Sequence, residues 1–455
     1  MNIPANAKTQ TISGEKYVFI DTPYWNAEKH RGEHKRRYIG KIVEGQFVPN
    51  GRYLLSLEKS GTIKPGPVPV TECKRQFYGA TYLLDQIGDK LGIVDDLKAS
   101  FPDKYKQLLS LAYFFVLEEG MSAYRLRKWA LTHNHPYGRD IPSQRISDLM
   151  GSIDEASKMN FFRRQARRRA EKEFLAFDTT SISSYSELIK FAKYGKNKEG
   201  DHLPQINLAL LYGEVSRLPV YFRKLTGNTA DVSLIRNLML DIDFLDMKKL
   251  SFVMDRGFYS EKNINDLMKH HHKFLIGIRC GLKIARKHLD EVRGEQLVSW
   301  ENYHDDVGLY AMSFSDEWDY REEHPRTGKC ICDKRRVYVH IYFNDQRCTD
   351  ERLSFAKYLT CLQDELKSGR KTEGHLKDYD KYFVVSETLK KGLHIIPNGD
   401  AIREHQRDFG YFVLLSNGIK DPEEAINLYR VRDLIEKAFA NLKERLDMRR
   451  MSVSS

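Results

Sequence analysis

The stretch from Tyr429 to Lys443 is YRVRDLIEKAFANLK, in which Tyr429, Arg432, Glu436 and Lys443 follow one another at intervals of three, four and seven positions. At 100° per residue in an α-helix, all four fall within roughly 60° of arc and share one face. A face with aromatic, cationic, acidic and cationic groups is neither a core stripe nor a ladder of ion pairs. The alternative is a solvated surface with one Arg432–Glu436 pair worth about 0.5 kcal/mol or less.

Two further carboxylates lie upstream, each at the end of an apolar run. Asp178 closes the run FLAFD and Asp255 closes the run FVMD, and both runs are predicted to be strands of one sheet. Carboxylate oxygens are the ligands that hard divalent ions such as Mg²⁺ prefer. Asp178 and Asp255 are therefore candidate metal ligands, whereas a single Asp at a strand end is more often a turn residue.

The order of elements around these carboxylates predicts the fold class. Strands are expected at 174–178, 206–212, 218–225, 252–255 and 274–279, with helices at 231–247 and 261–270. Three strands, a helix, a strand, a helix and a strand form the order of a ribonuclease H-like α/β domain. The helix needed to cover this sheet is expected only at 421–449.

A long interruption separates the two parts of this domain. Residues 281–406 are rich in Tyr, Trp and charge, with a strand expected at 336–343, and the segment is too long for a loop. We therefore expect a ribonuclease H-like catalytic domain at 173–280 and 407–455, interrupted by a β-containing subdomain at 281–406.

The helix from Tyr429 to Lys443 resembles the Tyr-x2-Arg-x3-Glu-x6-Lys signature of DDE transposases in the insertion sequence 4 superfamily, at all four positions. The contexts Phe177-Asp178-Thr-Thr-Ser and Asp255-Arg-Gly-Phe-Tyr resemble other blocks of that family in the right order. The aromatic, basic opening of the chain is similar to the branch named after insertion sequence 1634. The resemblance covers nearly the whole chain.

This resemblance implies a DNA transposase in which Asp178, Asp255 and Glu436 hold two Mg²⁺ ions, with Mn²⁺ as an alternative. Such a pair of ions activates a water or a 3′-hydroxyl and stabilises the leaving oxygen at phosphorus. The family further implies that Tyr429, Arg432 and Lys443 contact DNA. The partners implied are terminal inverted repeats and target DNA, bound as a homodimer.

The segments ahead of the catalytic domain predict contacts with DNA as well. Residues 1–72 are basic and aromatic, which suits a phosphate-contacting arm or, equally, a small sheet with a charged edge. Residues 73–172 are expected to be helical and either bind DNA or act as scaffold. The basic cluster of Arg163, Arg164 and Arg167 is either a phosphate-binding surface or a solvated helix face.

Composition is consistent with a nucleic-acid partner and with a reducing compartment. The 455 residues carry 74 Lys and Arg against 63 Asp and Glu, a formal charge of +11 with a pI near 9.1. The six cysteines are scattered, and the single pair Cys330 and Cys332 lacks companions at zinc spacing. Neither a signal peptide nor a membrane span is predicted, so we expect a cytoplasmic, nucleoid-associated bacterial protein without membrane contact.

Three features leave alternatives open. Trp300 and Trp318 are candidates to hold a flipped base, although a tryptophan in such a segment is more often core. The run His270–His272 is interpreted as a solvated helix end rather than a metal site. The chain stops soon after the signature helix, so a shortened transposase acting only as a DNA-binding protein or inhibitor is an alternative to an active enzyme, as is a host nuclease of the same fold.

Overall fold

The computed structural model describes residues 2–26, 29–59, 75–169, 172–186, 188–195, 200–229, 231–323, 330–388 and 392–451. Residue contacts divide the chain into two units, Met1–Arg75 and Gln76–Ser455. Within the described residues, no helix is both long enough and apolar enough to cross a bilayer.

The first unit is a four-stranded antiparallel sheet with one helix. Its strands pair in chain order, β1-β2-β3-β4. Val18, Ile39, Phe47 and Tyr53 form its buried core, and Tyr53 comes from the helix. Residues 1–72 were expected to be a phosphate-contacting arm or a small sheet with a charged edge. The described residues up to 59 form a sheet with one helix, and phosphate contact stays a prediction. The elements are β1 Ala7–Ile12, β2 Glu15–Asn26, β3 Arg31–Val43, β4 Gln46–Pro49 and α1 Gly51–Lys59.

The second unit begins with six helices. The helices α4 to α6 enclose a core around Phe114, Leu126 and Trp129. The last helix is tied to α3 through Arg168, whose guanidinium donates to both oxygens of the buried Asp96 at 2.7 and 2.8 Å. The helices are α2 Gly79–Lys90, α3 Ile93–Ser100, α4 Tyr105–Leu117, α5 Leu126–Thr132, α6 Ser143–Gly151 and α7 Glu155–Arg169.

A large mixed sheet follows and gives the unit its α/β class, as the sequence predicted. The elements up to the interruption are β5 Phe174–Ser184, β6 Gln205–Gly213, β7 Pro219–Thr226, α8 Asp231–Phe244, β8 Ser251–Met254, α9 Glu261–Lys269, β9 Lys273–Ile278 and α10 Lys283–Val292. Strands β5, β6 and β7 are antiparallel, whereas β8 and β9 run parallel to β5. The expected hairpin at 206–225 is confirmed.

The remaining elements are β10 Tyr303–His304, β11 Leu309–Glu323, β12 Cys330–Phe343, α11 Asp345–Ser368, α12 Leu376–Tyr382, β13 Phe383–Thr388, β14 Gly392–Pro397, α13 Gly399–Gln406, β15 Tyr411–Ser416, α14 Pro422–Arg430, α15 Arg432–Ala440 and β16 Arg450–Met451. The sheet order is β10-β11-β12-β15-β9-β8-β5-β6-β7, with β16 pairing on β5.

This order corrects the expected interruption at 281–406. The strands at 309–343 were expected in a separate subdomain, yet they extend the central sheet because β12 pairs with β15. The rest of the interruption is mainly helical and has a core of its own, formed around Phe355, Leu362 and Tyr379. The 24-residue helix α11 was not anticipated from the sequence.

Two boundaries near the carboxylates also differ from expectation. Strand β5 was expected to end at Asp178 but continues to Ser184, so Asp178 lies within a strand. The single helix expected at 421–449 is divided at Val431, where Val431 N–H bonds to Leu428 and Leu434 N–H bonds to Val431. Bonds across three residues tighten the helix locally.

One histidine of the run His270–His272 is buried, which corrects the expectation of a solvated helix end. His272 is 3% exposed, and its Nδ1 accepts the backbone N–H of Leu250 at 3.1 Å. A ring nitrogen that accepts a hydrogen bond is unprotonated. Burial lowers the pKa of His272 to about 4 from its usual 6.5.

The free energy of unfolding is therefore expected to fall as the pH drops from about 6.5 to about 4. In that interval the unfolded chain binds a proton at His272 that the folded chain does not bind. His272→Gln should flatten this dependence, measured as urea midpoints at about pH 7 and about pH 5. The exposed neighbour gives the control, since His271→Gln should retain the wild-type slope; equal slopes for all three proteins would contradict the assignment.

Candidate active site

Asp178 lies in β5, and Asp255 directly follows the neighbouring strand β8. Strands β5 and β8 are parallel, and their register ends with Phe177 opposite Met254. The next residue after each of these two positions is an aspartate. Asp178 Oδ1 accepts the N–H of Thr179, and Asp255 Oδ1 accepts the N–H of Arg256, both at 2.7 Å. The register thus sets Asp178, inside β5, next to the end of β8 that precedes Asp255, so that only one of the two aspartates stands at a strand end.

Helix α15 brings Glu436 to the same face of the sheet. Ile435 and Phe439 of this helix pack in one buried cluster with Ala176 and Leu210. Leu210 lies opposite Asp178 across the β5–β6 pair, and paired residues point to the same face. Asp178 therefore points toward the face that α15 covers.

The guanidinium of Arg432 links the other two carboxylates. Its Nη1 is 2.6 Å from Asp255 Oδ1 and its Nη2 is 2.8 Å from Glu436 Oε1. The hydroxyl of Tyr429 donates to Asp255 Oδ1 at 3.2 Å and accepts from Arg432 Nη1 at 3.3 Å. The structure thus joins Tyr429, Arg432, Glu436 and Asp255 in one network, and Lys443 lies in the π-helical turn Asn441–Arg445 that follows α15.

The network sets the protonation of its members. Burial raises the pKa of Tyr429 to about 12, with the Asp255 charge adding to the effect and Arg432 opposing it. For Arg432, burial lowers the pKa, but the interaction with Tyr429 and the charges of Asp255, Glu436 and Asp178 outweigh it, so the net shift is upward. Near neutral pH, Tyr429 is therefore a neutral donor and Arg432 remains a cation surrounded by carboxylates.

Gly277 is a residue of this site that the sequence analysis missed. A Cβ at this position of β9 would lie 2.8 Å from the Tyr429 hydroxyl and 3.2 Å from the Arg256 nitrogen. Only glycine leaves room for the Tyr429 hydroxyl to reach Asp255. A glycine inside the apolar strand Lys273–Ile278 was the available signal, because such a glycine marks a close approach.

The three acidic residues fit a divalent ion by their chemistry, because all are hard oxygen donors. Asp255 and Glu436 are also accessible, with side chains 39% and 52% exposed. Among the described residues, however, no three His, Cys, Asp or Glu side chains are already arranged around one ion position. The positive charge between Asp255 and Glu436 is that of Arg432.

A comparison with protein families bears on this geometry. Residues 169–455, which include all three acidic residues, match the family model described as Transposase DDE domain. The chain belongs to this transposase family. The match does not reach the finer assignment to the insertion sequence 4 superfamily or its 1634-like branch, which stays a prediction. Among curated proteins, none matches this transposase.

Some solved structures of transposase–DNA complexes show a low similarity to this chain. A piggyBac transposase synaptic complex with hairpin DNA is 12% identical with a TM-score of 0.34, covering 79% of this chain and 59% of that chain. The Mos1 strand transfer complex is 11% identical with a TM-score of 0.16, covering 50% and 68%. This transposase thus spans less than two thirds of the piggyBac chain, and we take neither site residues nor partners from these similarities.

A cavity of about 960 Å³ opens beside the acidic residues of this transposase. It reaches from Asp255 and Arg432 to helix α11 and to the segment before β15. Its walls combine cationic and aromatic side chains that the sequence analysis did not single out. These are Arg256, Arg279, Arg347, Phe355, Tyr358, Phe409, Tyr411 and Phe412.

The basic cluster of helix α7 divides into separate environments. Arg163 donates to the carbonyl of Phe244 at 3.1 Å, and Arg167 pairs with Asp246 at 3.6 Å. Arg164 is exposed and forms no ion pair with a described residue. Of the three arginines expected to bind phosphate, Arg164 is thus the one without an ion-pair partner among the described residues, and DNA binding by this cluster stays a prediction.

The two tryptophans of the interruption at 281–406 differ in their exposure to solvent. Trp318 is 7% exposed, and its indole N–H donates to Asn265 Oδ1 at 2.8 Å, so it belongs to the core. The interpretation of Trp318 as a base-holding residue is therefore wrong for this structure. Trp300 is 82% exposed and stays a candidate.

Proposed function

We propose that this chain is a magnesium-dependent DDE transposase that cleaves and joins DNA at the terminal inverted repeats of an insertion element. The observation that carries the proposal is the joining of Asp255 and Glu436 through Arg432, beside Asp178 on the adjacent strand. Three segments that are far apart in the sequence thus contribute acidic side chains to one face of the sheet: β5, the residue after β8, and α15.

The topology supports a ribonuclease H-like reading of the catalytic domain. Its first strand, β5, is central, with β6 and β7 antiparallel on one side and β8 and β9 parallel on the other. Helices α14 and α15 then return to the face where Asp178 points. Asp178, Asp255 and Glu436 are the residues that would hold two Mg²⁺ or Mn²⁺ ions.

Ions held there would activate the attacking oxygen and stabilise the leaving oxygen at phosphorus. Arg432 can then release the carboxylates and form a forked pair of hydrogen bonds with a phosphate. Tyr429 stays a neutral donor and can hold a phosphate oxygen next to Asp255. Lys443 and the exposed Arg164 add positive charge for the DNA backbone.

The lining of the neighbouring cavity fits a nucleotide at the DNA end. Arg256, Arg279 and Arg347 can neutralise phosphates, and the half-buried Tyr358 offers a ring face for a base. We propose further that two copies act together on paired ends, as the insertion sequence 4 resemblance implies. The expected location is the bacterial cytoplasm, on the nucleoid.

The experiment that tests this function is cleavage of a labelled duplex carrying the element's own terminal repeat, in magnesium and in EDTA. The expected result is a nick at the repeat end in magnesium alone, and none in a scrambled duplex. Equal cutting of both duplexes would instead identify a general nuclease. Binding without any cutting would identify a DNA-binding protein and overturn the proposed chemistry.

A prediction follows for Arg432, which holds the position between two proposed metal ligands. Arg432→Gln is expected to raise the affinity for Mn²⁺ without DNA by about tenfold or more, equal to ~1.4 kcal/mol, because the ion no longer competes with a guanidinium. The Mn²⁺ electron paramagnetic resonance signal measures the free ion directly. Arg430→Gln is the matched control, since Arg430 donates to the carbonyl of Val307 instead; equal affinities in both variants would contradict the prediction.

A further inference from the structure

The hairpin of strands β2 and β3 extends beyond the rest of the first unit. Strand β1 accompanies β2 only as far as Ile20, and β4 accompanies β3 only from Gly40 to Val43. Residues 21–26 and 31–36 pair only with each other within the described part of the chain. Six residue pairs at about 3.4 Å each make a two-stranded ribbon roughly 20 Å long.

Three consecutive cations lie at the base of this ribbon. Lys35 and Arg36 belong to it, and Arg37 is the next residue of β3. Lys35, Arg36 and Arg37 are exposed and form no ion pair with any described carboxylate. Arg36 instead donates to Gln10 at 3.2 Å, and Arg37 lies 6.0 Å above the ring of Tyr53. Successive residues of a strand point to opposite faces, so these charges are presented on both faces of the ribbon.

The tip of the ribbon is held by one carboxylate. Glu33 accepts hydrogen bonds from Tyr24, Asn26 and Lys29 at 3.0 to 3.1 Å and pairs with Arg31 at 2.9 Å. This network fixes the two strands against each other near the tip. The cations that pair with Glu33 are thus structural, whereas Lys35, Arg36 and Arg37 remain available to a partner.

More than half of the net positive charge of the chain lies in this unit. Residues 1–75 contain 13 Lys and Arg against 7 Asp and Glu, a formal +6, within a chain of +11. Next to the tip, Trp25 is 66% exposed and Tyr24 is 46% exposed. The major groove of B-DNA is about 12 Å wide and admits a two-stranded β-ribbon between its phosphate walls.

We infer that the ribbon of residues 21–26 and 31–36 inserts into the major groove of duplex DNA, with Lys35, Arg36 and the adjoining Arg37 contacting phosphates. The inference rests on the proposed function, because the duplex is the one that the transposase would bind. It adds a second DNA contact, in the unit before residue 76, to the one expected at the acidic site. In the four-stranded part, the core with α1 covers one face of the sheet. Among the described residues of the unit, the ribbon is the element that extends beyond this part.

Binding of the full chain to a short repeat duplex and to a scrambled duplex, in EDTA, tests the inference. Lys35→Gln/Arg36→Gln/Arg37→Gln is expected to weaken binding of both by at least about tenfold and to lower the salt slope by about 2.7, since each phosphate contact contributes about 0.9. The matched control, Lys16→Gln/Lys41→Gln/Arg52→Gln, removes equal charge from the same unit outside the ribbon. Its affinity should stay within about threefold of wild type. Equal losses in the two variants would overturn the inference.

Methylation interference distinguishes the groove. Methyl groups at guanine N7, in the major groove, are expected to block binding, whereas interference confined to adenine N3 would overturn the assignment. Equal or tighter binding of the single strand would also overturn it. Lys35→Gln alone changes one exposed side chain and should lower the salt slope by about 0.9 even if the triple variant fails to fold.

The outcome separates this inference from the proposed chemistry. A chain that binds through the ribbon in EDTA but never cuts in magnesium would retain the inference and lose the proposed function. If a ribbon variant binds as tightly as wild type while wild type cuts at repeat ends, the inference is overturned and the proposed function is retained.

Discussion

Glu436→Gln is expected to lower the rate of strand cleavage at the repeat end by at least about a thousandfold, equal to ~4 kcal/mol of barrier. The change removes one negative oxygen donor from the proposed metal site without changing the shape of the side chain. Asp178→Asn and Asp255→Asn should cause losses of the same order, because each removes a carboxylate from the same set. The measurement is single-turnover cleavage of the labelled repeat duplex in magnesium.

The control for this series lies on the same C-terminal segment. Glu444→Gln removes an equal charge from a residue whose carboxylate pairs with Arg449 at 3.1 Å, away from the network of Arg432. Its cleavage rate should stay within about threefold of wild type. Repeat binding in EDTA should persist in the three acidic-site variants. Cleavage by Glu436→Gln at the rate of Glu444→Gln would contradict the assignment of Glu436.

Ile435→Ala is expected to destabilise the chain by about 2–5 kcal/mol and to impair cleavage as well. Ile435 is fully buried and packs with Ala176, Leu210 and Phe439, so its truncation leaves a cavity between α15 and the sheet. The same packing holds α15, which carries the neighbouring Glu436, on the face of the sheet toward which Asp178 points. Urea unfolding followed by circular dichroism gives the first effect, and single-turnover cleavage gives the second.

A graded series separates packing from other causes. Ile435→Val removes one methylene group and should cost only about 0.5–1.5 kcal/mol. Lys437→Ala, at an exposed position of the same helix, should stay within about 0.5 kcal/mol of wild type. If Ile435→Ala were no more destabilised than Lys437→Ala, the helix would not be anchored through this cluster.

Much of the central sheet could be predicted because its strands have continuous apolar runs. The strand at 252–255 and the hairpin at 206–225 are clear examples, since their side chains are largely buried. The extension of β5 from Thr179 to Ser184 could not be predicted in this way. Its residues are polar, yet Ser183 and Ser184 are fully buried by pairing with neighbouring strands, so no apolar alternation marks the strand.

The candidate site could also be predicted only where local sequence patterns determine the geometry. Helical spacing predicted that Tyr429, Arg432 and Glu436 share a face, and local geometry suffices for that. The position of Arg432 against Asp255, and the space that Gly277 leaves for Tyr429, depend on residues more than 150 positions apart. The membership of 309–343 in the central sheet depends likewise on pairing with β15, which no local pattern encodes.

The pairing of β9 with β15 bears on the order in which the molecule acquires its reactive centre. The N–H of Phe274 donates to Asn417 at 2.9 Å across 143 positions of sequence, and the helix carrying Glu436 follows only after that strand. Closing a loop of this length has an entropic cost and makes such contacts slow to form. The strands β5 and β8, which position Asp178 and Asp255, are closer in sequence and can pair earlier. A chain that is still being synthesised or refolding therefore holds an incomplete set of carboxylates. The proposed strand cleavage would therefore require the completed fold.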